Sequence, residues 1–207
     1  MSILEILQLK VKPTTEPSNP AILASLRTVR QSLAQKIHAT QSRFYHTIED
    51  TSLIYVLGLW DSLSQHQVFL SSPLKDEILS PQEDLLDFGW CIHIEMDSMN
   101  QLPLKAPILS IARIKLKSGD YHVKQHEEIT ARYRSVLKAR MGPCGVVEGW
   151  RIDGEDGESE QVVITGWGTK EDHLEFSAGL SERNEDYRGL REHWESVEVS
   201  HVRDMER

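Results

Sequence analysis

Two stretches of this chain are written in the same grammar, and that repetition limits the folds open to it more than its composition does. Leu53 to Pro73 reads LIYVLGLWDSLSQHQVFLSSP and Gln161 to Gly179 reads QVVITGWGTKEDHLEFSAG. With the tryptophans superposed, Trp60 matches Trp167, His66 matches His173 and Phe69 matches Phe176. The flanks repeat at nearly the same offset. Ile3, Leu4, Ile6, Lys10 and Lys12 recur as Ile108, Leu109, Ile111, Lys115 and Lys117, and CIHIEM from Cys91 lines up with SVEVSH from Ser196. Self-similarity at one period marks a repeat architecture. The chain therefore reads as two copies of one module, residues 1–98 and 108–207, joined by a linker over 99–107.

Each copy predicts the order β-α-β-β-α-β. Residues 3–12 alternate as a strand that Pro13 and TTEPSN close. Asn19 ahead of Pro20 predicts a helix N-cap with proline in the first turn, where its missing amide hydrogen costs nothing. Ile22, Leu26, Val29, Leu33 and Ile37 then form one apolar stripe at helical spacing. Strands follow at Phe44–Ile48 and Leu53–Leu59, then a helix capped by Asp61 or Ser62, further helical turns over Leu74–Leu86, and a strand Trp90–Met96 opened by Gly89. In the second copy the expected elements are a strand at 108–117, a helix from Tyr121 to Met141, and a hairpin of Val146–Ile152 with Gln161–Trp167 across DGEDGES. A helix from Lys170 and a last strand SVEVSHV complete it, and the polar tail HVRDMER is expected to fray.

Composition narrows the function classes. A hydrophobic fraction of 39% in 207 residues suits a chain with a sizeable interior. No stretch approaches the roughly 20 apolar residues that span a bilayer, and no signal-peptide pattern opens the chain, so the expectation is a cytoplasmic protein without a membrane partner. A net charge of −9 without a compensating basic stripe argues against nucleic acid. The densest basic run, RYRSVLKAR from Arg132, reads as a solvated helix face. Cys91 and Cys144 stand at non-equivalent places, which is neither a disulfide framework nor a metal spacing, and both are expected to be reduced.

The candidate chemistry lies in polar residues on apolar faces. His122 and His126 extend the stripe of Ile129, Tyr133, Val136 and Leu137 backward at helical spacing. Such a pair suits general acid–base work at neutral pH, while two histidines with no third ligand in register are a poor zinc signal. The plainer alternative is two partly exposed residues in a first helical turn. His93 and Glu95 lie two apart in a strand, hence on one sheet face, opposite Trp90, Ile92 and Ile94. In the repeat register His93 matches Glu198 and Glu95 matches Ser200. This polar set is either catalytic or a self-satisfied network. His66 and His173 hold equivalent places, which suggests a structural origin. Trp90 is the first candidate among the tryptophans for lining an aromatic cleft. Arg113, where the first copy has Gln8, either binds an anionic or enolate oxygen or pairs with a glutamate such as Glu198. With Tyr133, these form the expected substrate-binding set. No phosphate-cradling glycine loop, dinucleotide fingerprint or dense Cys/His cluster is present, so no cofactor and no metal is indicated.

The duplicated order and the two runs WDSLSQHQVFLSSP from Trp60 and WGTKEDHLEF from Trp167 resemble the dimeric α+β barrel (ferredoxin-like) superfamily. The resemblance is to its antibiotic-biosynthesis-monooxygenase-like and ethyl-tert-butyl-ether-degradation-like groups, in a tandem form of fungal type, and it covers essentially the whole chain. It implies an α+β fold in which two ferredoxin-like repeats make a pseudo-dimer within one chain, either monomeric or as a homodimer. It also implies a small-molecule ligand, aromatic or polyketide-like, of secondary metabolism. The groups include cofactor-free monooxygenases, polyketide cyclases, isomerases, haem-degrading enzymes and stress proteins. Many monooxygenase-like members carry a histidine nine residues beyond the tryptophan, where this chain has Phe69 and Phe176. The expectation is proton-transfer chemistry, namely cyclisation, isomerisation or dearomatisation, without a bound cofactor. The alternatives are a non-catalytic binding or stress-related barrel and, behind it, haem binding.

Overall fold

The computed structural model describes residues 1–141 and 145–207, without the side chains at 133, 136–138, 140 and 141. Cys144 lies outside the described residues. The chain divides into two compact units, Met1–Met99 with Val202–Arg207, and Asn100–His201.

The first unit runs β1 (Ile3–Val11), α1 (Pro20–Lys36), β2 (Gln41–Thr47), β3 (Leu53–Trp60), α2 (Leu63–Leu70), α3 (Pro73–Leu79) and β4 (Leu86–Glu95). β1 is central, antiparallel to β3 on one side and β4 on the other. Its register sets Glu5 between Gly58 and His93. β2 pairs with β3, and beyond it Val202, Arg203 and Asp204 add the end of a further strand to β2.

The helices cover one sheet face. α1 starts at Asn19, whose side chain accepts from the Ala21 amide, with Pro20 in the first turn. Its stripe is shared between two apolar groups. Ile22 and Leu26 pack with Leu9, Val11, Phe44, Ile54, Val56 and Leu86, while Val29, Leu33 and Ile37 lie against Ile3, Trp60, Phe69 and Ile78. Side chains of a strand alternate between faces, so Ile3, Glu5 and Leu7 share this covered face. Leu4, Ile6, Leu57, Ile92 and Ile94 on the other face are also buried.

Two expectations are corrected in this unit. The fourth strand begins at Leu86, and Gly89 lies within it rather than opening it. There the register shifts, Gln8 facing Trp90 and Leu9 facing Phe88, and a Cβ on Gly89 would stand 2.8 Å from the Gln8 carbonyl oxygen. A bulge brings two backbones this close only where one residue lacks a side chain. The tail does not fray. Met205 packs against the first apolar group, and Glu206 bonds Arg30 in bidentate fashion at 2.6 and 2.9 Å and Arg27 at 2.9 Å.

The second unit runs β5 (Ile108–Leu116), α4 (Asp120–Met141), β6 (Val146–Trp150), β7 (Glu160–Trp167), α5 (Lys170–Arg183), α6 (Glu185–Arg191) and β8 (Trp194–Asp204), whose last residues belong to the first unit. β7 lies between β5 and β6, and β5 lies between β7 and β8. Ser110 faces Thr165 across β5 and β7. No described helix is long and apolar enough to cross a membrane.

Candidate functional site

In the first unit, local sequence sets the position of one histidine and strand register that of another. Trp60 ends β3, Ser62 caps α2 by accepting from the Gln65 amide at 3.1 Å, and His66 is then the fourth residue of the helix, turned back onto the sheet. Its ring lies 4.4 Å from the Trp60 ring. His93 arrives from β4 opposite Glu5. His66 Nδ1 and His93 Nε2 are 2.8 Å apart, so one ring donates the proton that the other accepts. Glu5 Oε2 accepts from the Trp60 indole N–H at 2.8 Å, and its Oε1 lies 3.6 Å from His66 Nε2. The Cys91 thiol is 3.7 Å from both Glu5 Oε1 and His93 Nε2. Glu5, His66 and His93 are 8%, 2% and 5% exposed. A carboxylate this far out of water needs compensation. Within the cluster only the imidazoles can take up positive charge.

The second unit places matching groups, with two hydroxyls where the first has a carboxylate beneath the indole. Thr169 caps α5 and His173 is again the fourth helical residue, its ring 4.8 Å from Trp167. His173 Nδ1 meets His201 Nε2 at 2.7 Å. The Trp167 indole donates to Thr165 Oγ1 at 2.7 Å and Ser110 Oγ at 3.3 Å, and the two hydroxyls bond each other at 2.6 Å. His201, not Glu198, therefore takes the place that His93 holds in the first unit. The repeat register drawn from CIHIEM and SVEVSH is off by three positions there.

The remaining expected residues are spread through the molecule. His126 is fully buried, as its helical stripe predicts. Its Nε2 bonds Gln161 Oε1 at 2.7 Å and its Nδ1 accepts from the Trp194 indole at 3.2 Å. An indole can only donate, so the ring is held neutral with its proton on Nε2. Burial lowers its pKa below the usual histidine value, although the Gln161 bond works the other way. His122 is half-buried and pairs with His193, Nδ1 to Nδ1, at 3.0 Å. The His193 pKa is lowered by desolvation and by His122. The exposed Tyr121 ring lies edge-on to both.

Glu95 is exposed at the end of β4, while His93 is buried and bonds His66. Trp90 points to the opposite face, half-buried and edge-on to Tyr55 at 5.6 Å. Arg113 pairs with a glutamate, chiefly Glu160 at 2.6 Å, with Glu198 at 3.4 Å. Glu160 is shared with Arg151 at 3.1 Å. The Tyr133 side chain lies outside the described residues. Among the described residues no three His, Cys, Asp or Glu side chains converge to hold a metal ion.

Of the residues in this cluster, sequence reasoning missed Glu5 altogether, took His66 for a structural residue and Cys91 for a plain reduced cysteine. The signal for Glu5 was present, since a strand that puts Ile3 and Leu7 toward a core puts Glu5 there as well.

No protein-family model matches the chain, and no curated protein matches it. Solved structures do resemble it. A candidate monooxygenase from Lactobacillus acidophilus aligns over 98% of this chain and 93% of its own, at 12% identity and a TM-score of 0.55. A candidate monooxygenase from Fusobacterium nucleatum aligns over 99% and 92%, at 6% identity and a TM-score of 0.61. A variant of chlorite dismutase from Candidatus Nitrospira defluvii aligns over 97% and 90%, at 13% identity and a TM-score of 0.59. At such identities the likeness is one of architecture alone: the chain has the mixed α+β fold of these proteins.

Proposed function

We propose that the chain is a tandem duplication of a ferredoxin-like module that works as a small-molecule enzyme without a bound cofactor. It performs proton-transfer chemistry, cyclisation or isomerisation, on an aromatic or polyketide-like substrate. The observation that carries this reading is the buried cluster of Glu5, His66 and His93, with its 2.8 Å contact between imidazoles. Titratable groups gathered out of water beside a specific charge partner are more frequent at working sites than elsewhere. His93 is the acid–base group. It takes a proton from an activated O–H or C–H of the substrate and returns it at another atom, with no net oxidation.

A second reading, a non-catalytic small-molecule-binding or stress-related protein, draws on His126, whose two ring nitrogens are both occupied by neutral partners. Native mass spectrometry of the freshly purified chain, with an absorption spectrum, separates these readings. A small aromatic adduct on a colourless protein favours the enzyme, and a haem absorption band removes the cofactor-free reading. The adduct, once identified, serves as the substrate for comparing wild type with His93→Gln. Loss of turnover with binding kept within a few-fold supports His93 as the acid–base group, and equal turnover eliminates it.

A further inference from the structure

Helix α4 is fastened to the rest of its unit by histidines in its first two turns. The chain enters α4 through Gly119, at φ +111° and with open space where a Cβ would stand. Three residues on, His122 Nδ1 faces His193 Nδ1 at 3.0 Å, with the ring centres 5.3 Å apart. One turn further, the fully buried His126 lies between Gln161 of β7 and the indole of Trp194, which begins β8. The far side of the first contact is anchored. The His193 carbonyl accepts from the Lys117 amide at 3.0 Å, and the Glu192 carbonyl accepts from the Lys117 ammonium at 2.7 Å. The later turns of α4 are held differently. Arg132 pairs with Asp186 at 3.1 Å and Arg134 with Glu148 at 2.5 Å, ion pairs that involve no histidine.

Acid acts on these two halves of α4 unequally, through the number of hydrogens each contact can hold. A neutral imidazole carries one ring hydrogen and an imidazolium two. Between His122 and His193 there is room for one hydrogen, from either ring. A first added proton goes to an Nε2 and leaves that bond in place. A second puts a hydrogen on both Nδ1 atoms, and two positive rings then oppose each other. His126 has no such margin. Its Nδ1 accepts from an indole, which only donates, so a single proton ends that contact. The closed arrangement thus holds at most one proton among three histidines, whereas all three can charge once the helix start has moved away. Lys117, Tyr121 and Glu192 stand beside the pair, and Glu127 and Glu148 act on His126. The glutamates soften the effect of burial without reversing it, since the pKa of His126 and that of His193 both remain lowered.

We infer that the first turns of α4 are a proton-released latch: as pH falls from 7.5 to 5.5, Asp120 to Ile129 part from His193, Gln161 and Trp194 by pivoting at Gly119, while the later turns stay docked. Glycine at a positive φ is suited to such a pivot. The open form takes up two protons more than the closed form can hold, so its population rises with acid. Each extra proton contributes about tenfold over this interval for a histidine titrating near 6.5, and two contribute about a hundredfold. Opening uncovers Trp194 and the ring of Trp150, which His126 meets edge-on at 5.8 Å.

Native-state amide hydrogen exchange of the full chain, read by mass spectrometry and corrected for the intrinsic pH dependence of exchange, tests this without a ligand. Protection over residues 124–130 should fall about a hundredfold between pH 7.5 and 5.5, and over 131–141 by less than about tenfold. His126→Gln removes one of the two extra protons, and His122→Gln leaves His193 free to charge in place, so each should cut the fall to about tenfold. The double variant should nearly abolish it. An equal fall along the whole helix, or one of less than about tenfold in its first turns, would overturn the inference, as would variants that keep the wild-type fall. The wild-type comparison of the two halves of α4 stands by itself if a variant does not fold.

Discussion

Gly58→Thr and Glu5→Ser should each destabilise the protein, and together they should nearly cancel. The threonine Cβ would stand 2.6 Å from Glu5 Oε2, so the carboxylate must leave the Trp60 indole that it meets at 2.8 Å. Losing a hydrogen bond to a charged acceptor costs about 1.5–3 kcal/mol. Glu5→Ser alone leaves the buried indole donor without its acceptor, about 1–3 kcal/mol. In the double variant the threonine hydroxyl can take the indole proton, as Thr165 takes that of Trp167 at 2.7 Å. With the double variant close to wild type, the expected coupling is the sum of the two single losses, about 2.5–6 kcal/mol in favour of the pair. Urea unfolding followed by far-UV circular dichroism measures it from the midpoints, provided the four slopes agree. Single effects that add to within about 0.5 kcal/mol would refute the argument from shared space and a shared acceptor.

Three further outcomes are expected. Gly89→Ala should lower stability by about 1–3 kcal/mol in the same urea assay, because its Cβ meets the Gln8 carbonyl, a backbone atom that no side-chain rotation can move. Glu206→Gln should lower stability at pH 7 by about 1 kcal/mol, given the partly exposed arginines. The Arg30 bond, aided by Arg27, holds the folded Glu206 carboxyl down to about 2, so its contribution is complete above about pH 4.5 and fades toward pH 2; a wild-type acid profile as flat as the variant's would contradict this. His126, its pKa lowered chiefly by burial, binds a proton more readily in the unfolded chain, so it subtracts stability as pH falls below about 6.5. His126→Gln should then lose less unfolding free energy than wild type between pH 7.5 and 5.5, and an equal loss would remove His126 as the cause.

Much of the arrangement was legible because its spacings are local. The run from Trp60 to Phe69 crosses one strand end, one cap and two helical turns, and each imposes its own sequence requirement. His126 could be placed on the buried face of α4 for the same reason. Strand partners were harder to read. Alternation reports which residues share a face but not how far a strand has slid along its neighbour, and a slip of an odd number of positions exchanges the faces. The register that set Glu198 against His93 is such a slip, of three positions, and it concealed His201. The sequence alone predicts a frayed tail at Glu206 because its arginines lie far away along the chain, at Arg27 and Arg30.

The discontinuous first unit has a consequence for biosynthesis. Its β2 is paired by Val202, Arg203 and Asp204, its apolar group is joined by Met205, and Arg27 and Arg30 hold Glu206. On the ribosome, residues 1–99 emerge first yet must wait through the translation of 100–201 for these partners. The half that is made first is the half completed last. Until then the free edge of β2 is an open invitation to other strands, and a chaperone that acts during elongation meets a first unit still without its last segment.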